Sequence, residues 1–221
     1  VNKYWFKDCK ALTNTAGALS RFSIEGSGGG PVLTQIVGVV GTMVITARDS
    51  NNNAVTTFQG TVNITSTGPL SDGAGTTGPF TNGVYTPGIG FSRSGNFTLT
   101  ATRTGGAETG TSNLFAVNNP VPTVTGINPP GGRRGQTLDV TITGTGFLSG
   151  VTDASFGSRI TNLSVLVNGP TQVTVTIRID SSAVEGPRSV TVFNAAPGGG
   201  TATGSLTFTI GNNPSPTLTS L

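Results

Sequence analysis

The chain has 221 residues, with 12 Lys and Arg against 9 Asp and Glu for a net charge of +3, 34 Gly and no His. Its length suits two domains of about 100 residues each, and 10% charged residues combined with clear period-2 patterning exclude a disordered chain. The absence of His removes Ser-His-Asp and Cys-His catalysis, the usual zinc ligand sets and haem attachment through a C-x-x-C-H motif.

The basic balance reflects a shortage of ionisable groups. All three lysines, Lys3, Lys7 and Lys10, lie near the start, and among the scattered arginines only Arg133 and Arg134 are adjacent. Nucleic acid is therefore not an expected partner. A single cysteine, Cys9, builds no internal disulfide framework, although it could pair with a residue outside this segment. No apolar run approaches the roughly 18 residues a membrane span needs. The first residues show no charged-then-apolar signal pattern either, and the expectation is a processed chain or a fragment.

Residues 1–20 crowd Tyr4, Trp5 and Phe6 beside lysines and Cys9. Aromatics at this density are rarely left in water, so the segment reads as one that docks on a neighbouring domain or chain. A strand belonging to a preceding domain is the alternative. Residues 21–118 carry short strand signals bounded by Gly, Pro, Asn and Ser. Met43, Ile45 and Ala47 alternate with polar neighbours before the turn Asp49-Ser50-Asn51-Asn52-Asn53. Val62 and Ile64, then Val84 and Tyr85, then Phe97, Leu99 and Ala101 mark further strands, and Leu114, Phe115 and Val117 close the set. Threonine fills the wet faces, where a β-branched side chain suits the pleat without adding charge.

MVITARDSNNNAVTTFQGTVNITST at 43–67, Gly83-Val84-Tyr85 and SGNFTLTAT at 94–102 together resemble the bacterial Ig-like repeats of surface proteins, of the Big or invasin-like kind. That resemblance covers about eighty residues and implies a β-sandwich; Asn52 stands where those repeats commonly have Gly.

Residues 119–121 read as a short proline-stiffened linker. Beyond it, the stretch PTVTGINPPGGRRGQTLDVTITGTGF at 122–147 opens a second sandwich, residues 122–211. Leu138, Val140 and Ile142 alternate with Asp139, Thr141 and Thr143, and Pro129-Pro130-Gly131-Gly132 reads as a turn. Val173, Val175, Ile177 and Ile179, then Val190 and Val192, then Leu206, Phe208 and Ile210 supply the other apolar faces, with Phe147 and Phe156. The opening stretch, ASFG at 154–157 and EGPRSVTV at 185–192 resemble the IPT/TIG type of Ig-like domain. Residues 212–221 then repeat the junction, since NNPVPTVT at 118–125 returns as NNPSPTLT at 212–219. Self-similarity at a fixed spacing signals an array, and 212–221 is expected to be a linker with the start of a further repeat or an exchanged strand.

No motif in the chain carries chemistry. The turn at 49–53 begins like a calcium loop, but an EF-hand needs Gly at its sixth position and a bidentate acid at its twelfth, where this chain has Ala54 and Gly60. Neither sandwich contains a lysine for an intramolecular isopeptide bond. Glycosidase chemistry needs two facing carboxylates, and none of the nine is paired with another at short spacing. The expectation is an all-β chain of tandem immunoglobulin-like β-sandwiches that is not an enzyme and holds no cofactor or metal. Its expected role is structural and extracellular or at the cell surface, in a filament, surface layer or adhesin stalk. Expected partners are copies of itself or neighbouring domains, met through Tyr4, Trp5, Phe6, Cys9, Pro216, Leu218 and Leu221. An accessory carbohydrate-binding or spacer region of a secreted polysaccharide-degrading enzyme is the alternative, and a glycan would then be the partner.

Overall fold

A computed structural model describes residues 16–212, all of them strands, turns and loops. The chain divides into two compact units between Ala116 and Val117.

The first unit contains β1 (Arg21–Gly26), β2 (Gln35–Ile36), β3 (Gly41–Arg48), β4 (Val62–Ser66), β5 (Leu70–Asp72) and β6 (Gly75–Thr76). It continues with β7 (Val84–Tyr85), β8 (Gly88–Phe91), β9 (Gly95–Phe97), β10 (Leu99–Arg103), β11 (Thr109–Thr111) and β12 (Phe115–Asn118). The sheets run β1-β3-β8-β5, with β7 also on β3, then β11-β10-β4-β6, and β2-β12-β9. Met43, Ile45, Ala47, Val62 and Ile64 are buried, as the alternation predicts. Two aromatic clusters fill the unit. Phe22, Phe58 and Phe80 meet with ring centroids 5.1–5.7 Å apart, and Phe91 stacks on Phe97 and meets Phe115 edge-on.

Two expectations for this unit need correction. Phe97, Leu99 and Ala101 do face the core, but on two strands, because β9 and β10 belong to different sheets. At the break Thr98 stays with β4 on one side only: its carbonyl accepts from Thr67 N in the β4–β10 register, while its N–H donates to the Thr67 side chain at Oγ1. The facing strand is interrupted at the same level, where Leu99 N donates to Ser112 Oγ at 3.0 Å. Leu114 is 66% exposed instead of completing the apolar set. Asn113 fixes that turn by accepting from Val32 N and donating to Val32 O, which leaves the next side chain outside.

The second unit holds β13 (Thr123–Asn128), β14 (Gly131–Arg133), β15 (Thr137–Thr145), β16 (Thr152–Ser155) and β17 (Ile160–Gly169). After these come β18 (Gln172–Ile179), β19 (Gly186–Asn194), β20 (Gly200–Thr201) and β21 (Leu206–Gly211). One sheet runs β13-β15-β18-β17 and the other β14-β21-β19-β16, with β20 on β19. In immunoglobulin letters these are A-B-E-D and A′-G-F-C, the constant-type sandwich with its first strand split between sheets. Val140, Ile142, Val173, Val175, Ile177, Ile179 and Phe208 are all fully buried between them. Moving one such side chain out of water contributes roughly 1.5–3 kcal/mol.

The split first strand revises the reading of Pro129-Pro130-Gly131-Gly132. Only the prolines turn the chain; Gly131–Arg133 then forms a parallel edge strand on β21, opened by Thr209 N donating to Pro130 O at 2.9 Å. A proline suits the residue before an edge strand because its missing N–H costs no ladder bond.

Candidate functional site

Asp49 is the most deeply buried carboxylate among the described residues, at 1% exposure. Gly17 N (2.8 Å), Asn53 N (2.8 Å), Asn51 N (2.9 Å) and Asn53 Nδ2 (3.1 Å) all donate to it. These donors, led by Gly17, lower its pKa from 3.8 to about 2. Asn52 sits at φ 70°, the left-handed backbone that Gly or Asn adopts at least cost. The Asp49–Asn53 stretch is thus a capped turn whose carboxylate is shared between the turn's own N–H groups and Gly17 N.

The remaining acids are also held by neighbours. Asp180 accepts from the Ser182 hydroxyl (2.5 Å) and N–H (2.7 Å), and with Arg159 nearby its pKa is lowered. Its own backbone N–H and the Arg103 guanidinium at 2.9 Å lower Glu108. Asp153 accepts from Ala154 N at 2.7 Å, and Asp72 from Ser71 Oγ at 3.0 Å. Asp49, Asp180 and Glu108, lowered by these bonds, stay ionised and make weak general bases at neutral pH. Among the described residues no three His, Cys, Asp or Glu side chains come together as metal ligands.

Each unit carries a cleft. One of about 360 Å³ in the first unit, beside Gly29, Leu33, Gln35 and Met43, has no charged lining residue. Another of about 310 Å³ in the second unit is lined by Thr161, Arg178, Asp180 and Ser181, where Asp180 is already engaged by Ser182.

What the second unit does build is a buried polar clasp around its incoming chain. Asn119 is 4% exposed. Its backbone N–H donates to Pro197 O, its carbonyl accepts from Gly199 N, and its side chain donates to Ala195 O, each at 2.8 Å. Asn194, 2% exposed, donates to Pro120 O (2.9 Å) and Gly146 O (2.8 Å). Its Oδ1 accepts from Thr152 Oγ1, whose oxygen in turn accepts from Leu148 N at 2.7 Å. Both polar atoms of the Asn194 amide and the amide nitrogen of Asn119 thus have protein partners, the condition under which burying them is tolerable.

Tyr4, Trp5, Phe6, Cys9, Pro216, Leu218 and Leu221, the contacts expected from sequence, lie outside the described residues. Tyr85 is half-buried and stacked on Phe80 with ring centroids 5.7 Å apart. Asn63, Asn96 and Asn162 each open an Asn-x-Ser/Thr triplet; Asn63 and Asn96 are exposed, whereas Asn162 donates to Ala154 O at 2.6 Å. Sequence reasoning passed over Asn119 and Asn194. The available signal was the repeated Asn-Asn-Pro junction, which reads as linker until its partners are known.

These features define a tandem of two immunoglobulin-like β-sandwiches. Residues 121–199, within the second sandwich, match the family described as quinohemoprotein amine dehydrogenase, alpha subunit domain III. No curated protein matches the chain. Among solved structures, domains 5–6 of the S-layer protein SbsC are 16% identical with a TM-score of 0.33, covering 88% of this chain and 98% of that one. Invasin, described as a bacterial integrin-binding protein, is 14% identical with a TM-score of 0.48, over 89% of this chain and 40% of its own. The Yersinia pseudotuberculosis adhesin InvE is 19% identical with a TM-score of 0.45, over 85% of this chain and 58% of its own. Likeness at this level reaches no further than the fold.

Proposed function

We propose that the chain is a non-enzymatic segment of an extracellular, cell-surface protein, a module of a filament, surface layer or adhesin stalk that works through contacts between sandwiches. The observation that carries this reading is the clasp on the incoming chain together with the recurrence of its sequence. Asn119 and Pro120 are bonded into the second sandwich, and the same Asn-Asn-Pro junction returns at Asn212-Asn213-Pro214. A device that ties a chain firmly into the top of a sandwich suits a protein whose task is to hold modules in series. Domains at 21–118 and 122–211, an IPT/TIG character for the second and a bacterial Ig-like repeat for the first belong to the same reading.

Charge-poor outer faces support it. Thr100 pairs with Thr111, Thr102 with Thr109 and Thr123 with Thr145 through their hydroxyls across neighbouring strands. Such pairs strengthen a sheet by a few tenths of a kcal/mol each, up to about 1. The test is limited proteolysis of the purified chain with its association state followed in parallel. Assembly with residues 1–20 protected supports the reading; a monomer in which those residues are cut first contradicts it.

A further inference from the structure

The structure assigns the edge of β17 that no other described strand pairs as the surface through which two copies of this chain pair, antiparallel about a two-fold axis. This rests on the assembly reading above and names the site of assembly. β17 is the outermost strand of β13-β15-β18-β17 and, at ten residues, the longest strand described. Its sequence, ITNLSVLVNG, contains no charged residue and no proline, and Leu163 and Leu166 are 56% and 61% exposed. Soluble proteins guard such edges with charge, proline, bulges, shortness or cover, because a bare edge recruits another strand; of these β17 carries cover at Asn162 and two register shifts, and the stretch between the shifts is regular.

The other edges of this sandwich are guarded. β13 is covered by Thr203, whose carbonyl accepts from Val124 N and whose N–H donates to Pro122 O, both at 3.1 Å. β14 has three residues, directly after two prolines, and β16 has four, one of them Asp153. Part of β17 is also occupied, since Asn162 bonds Ala154 O on β16. Irregularities at Asn162/Ser164 and Val167/Gly169 then bracket the regular stretch Ser164–Val167.

This stretch is self-complementary. Val165 and Val167 pack toward the core, and Leu166 faces out. A two-fold axis at Leu166 sets Leu166 opposite its own copy and Val165 opposite Val167, so core-side residues meet core-side residues and apolar meets apolar. No like charges come face to face. The nearest cation in the ladder, Arg178, stands opposite Thr161 outside the stretch, and Asp139, two strands away on β15, is engaged by Thr176 at 2.7 Å. An acidic or basic partner strand would find no counter-charge on this edge.

Sedimentation equilibrium of the full chain, with wild type, Leu166→Lys and Leu218→Lys compared, tests the assignment. Wild type and Leu218→Lys are expected to dimerise equally, and Leu166→Lys to bind itself about tenfold more weakly or worse, because two cations then face each other. Hydrogen exchange of wild type should show residues 164–168 gaining protection as concentration rises, and this readout decides the matter if Leu166→Lys fails to fold. A dimer unchanged by Leu166→Lys, or one abolished by Leu218→Lys alone, overturns the β17 assignment while leaving assembly standing. So does assembly without concentration-dependent protection at 164–168. A wild type that is monomeric throughout, with residues 1–20 open to protease, removes both.

Discussion

The Thr152 hydroxyl donates to Asn194 Oδ1 at 2.5 Å across 42 residues of sequence, inside a sandwich whose core is otherwise mostly apolar. The pair joins the start of β16 to the end of β19, and through Asn194 Nδ2 it also holds Pro120 O and Gly146 O. Asn194→Ala should therefore destabilise the second sandwich by about 2–3 kcal/mol, because it leaves two partly buried carbonyls and a buried hydroxyl without this partner. Thr152→Val, which keeps the volume and removes one hydroxyl, should cost about half of that. Urea unfolding checks both, and an effect below about 0.5 kcal/mol for Asn194→Ala would mean that water replaces the lost bonds.

Acid should loosen the first sandwich through Asp49. Its folded pKa is about 2, depressed from 3.8 chiefly by the Gly17 N–H. A depressed carboxylate contributes stability above its unfolded pKa and loses it as pH falls through the folded value. The contribution is thus complete above about pH 4 and fades between there and about pH 2. Asp180 and Glu108, also lowered, act in the same direction. Asp49→Asn should flatten this part of the profile when denaturation midpoints are compared from pH 5 down to pH 2.

Gly110 on β11 lies against the backbone of β1. A Cβ there would collide with the carbonyl oxygen of Phe22, and a backbone atom cannot swing aside. Gly110→Ala should cost about 2–3 kcal/mol as overpacking. Gly28, with nothing within 4 Å of where a Cβ would stand and no positive φ, should accept Ala with little change. Thermal melts of the two variants make the comparison.

Phe91 is fully buried between Phe97 and Phe115. Phe91→Ala should destabilise the first sandwich by about 3–5 kcal/mol. Phe91→Leu should recover much of that loss in the same denaturation measurement, since it refills most of the cavity.

Strands whose alternation meets a single sheet were legible in the sequence. Leu138, Val140 and Ile142 and the four apolar residues of β18 announced β15 and β18 because one face of each is buried along its whole length. The break at Thr98 was not legible, because Phe97 and Leu99 both stay buried while the hydrogen-bond partners change between them, and side-chain pattern reports burial only. The exposure of Leu114 depends on Asn113 bonding Val32, 81 residues away. The clasp was hidden for the same reason. The side chains of Asn119 and Asn194 find their partners 76 and 74 residues away, Ala195 and Pro120, and nothing local distinguishes such an asparagine from one in a linker.

The central claim, that these sandwiches are modules of an assembled surface structure, is tested most directly by immunogold electron microscopy of the source cells with antibodies against residues 16–212. Label along fibres or on a regular layer outside the cell is the predicted result. Label confined to the cell interior would contradict the account.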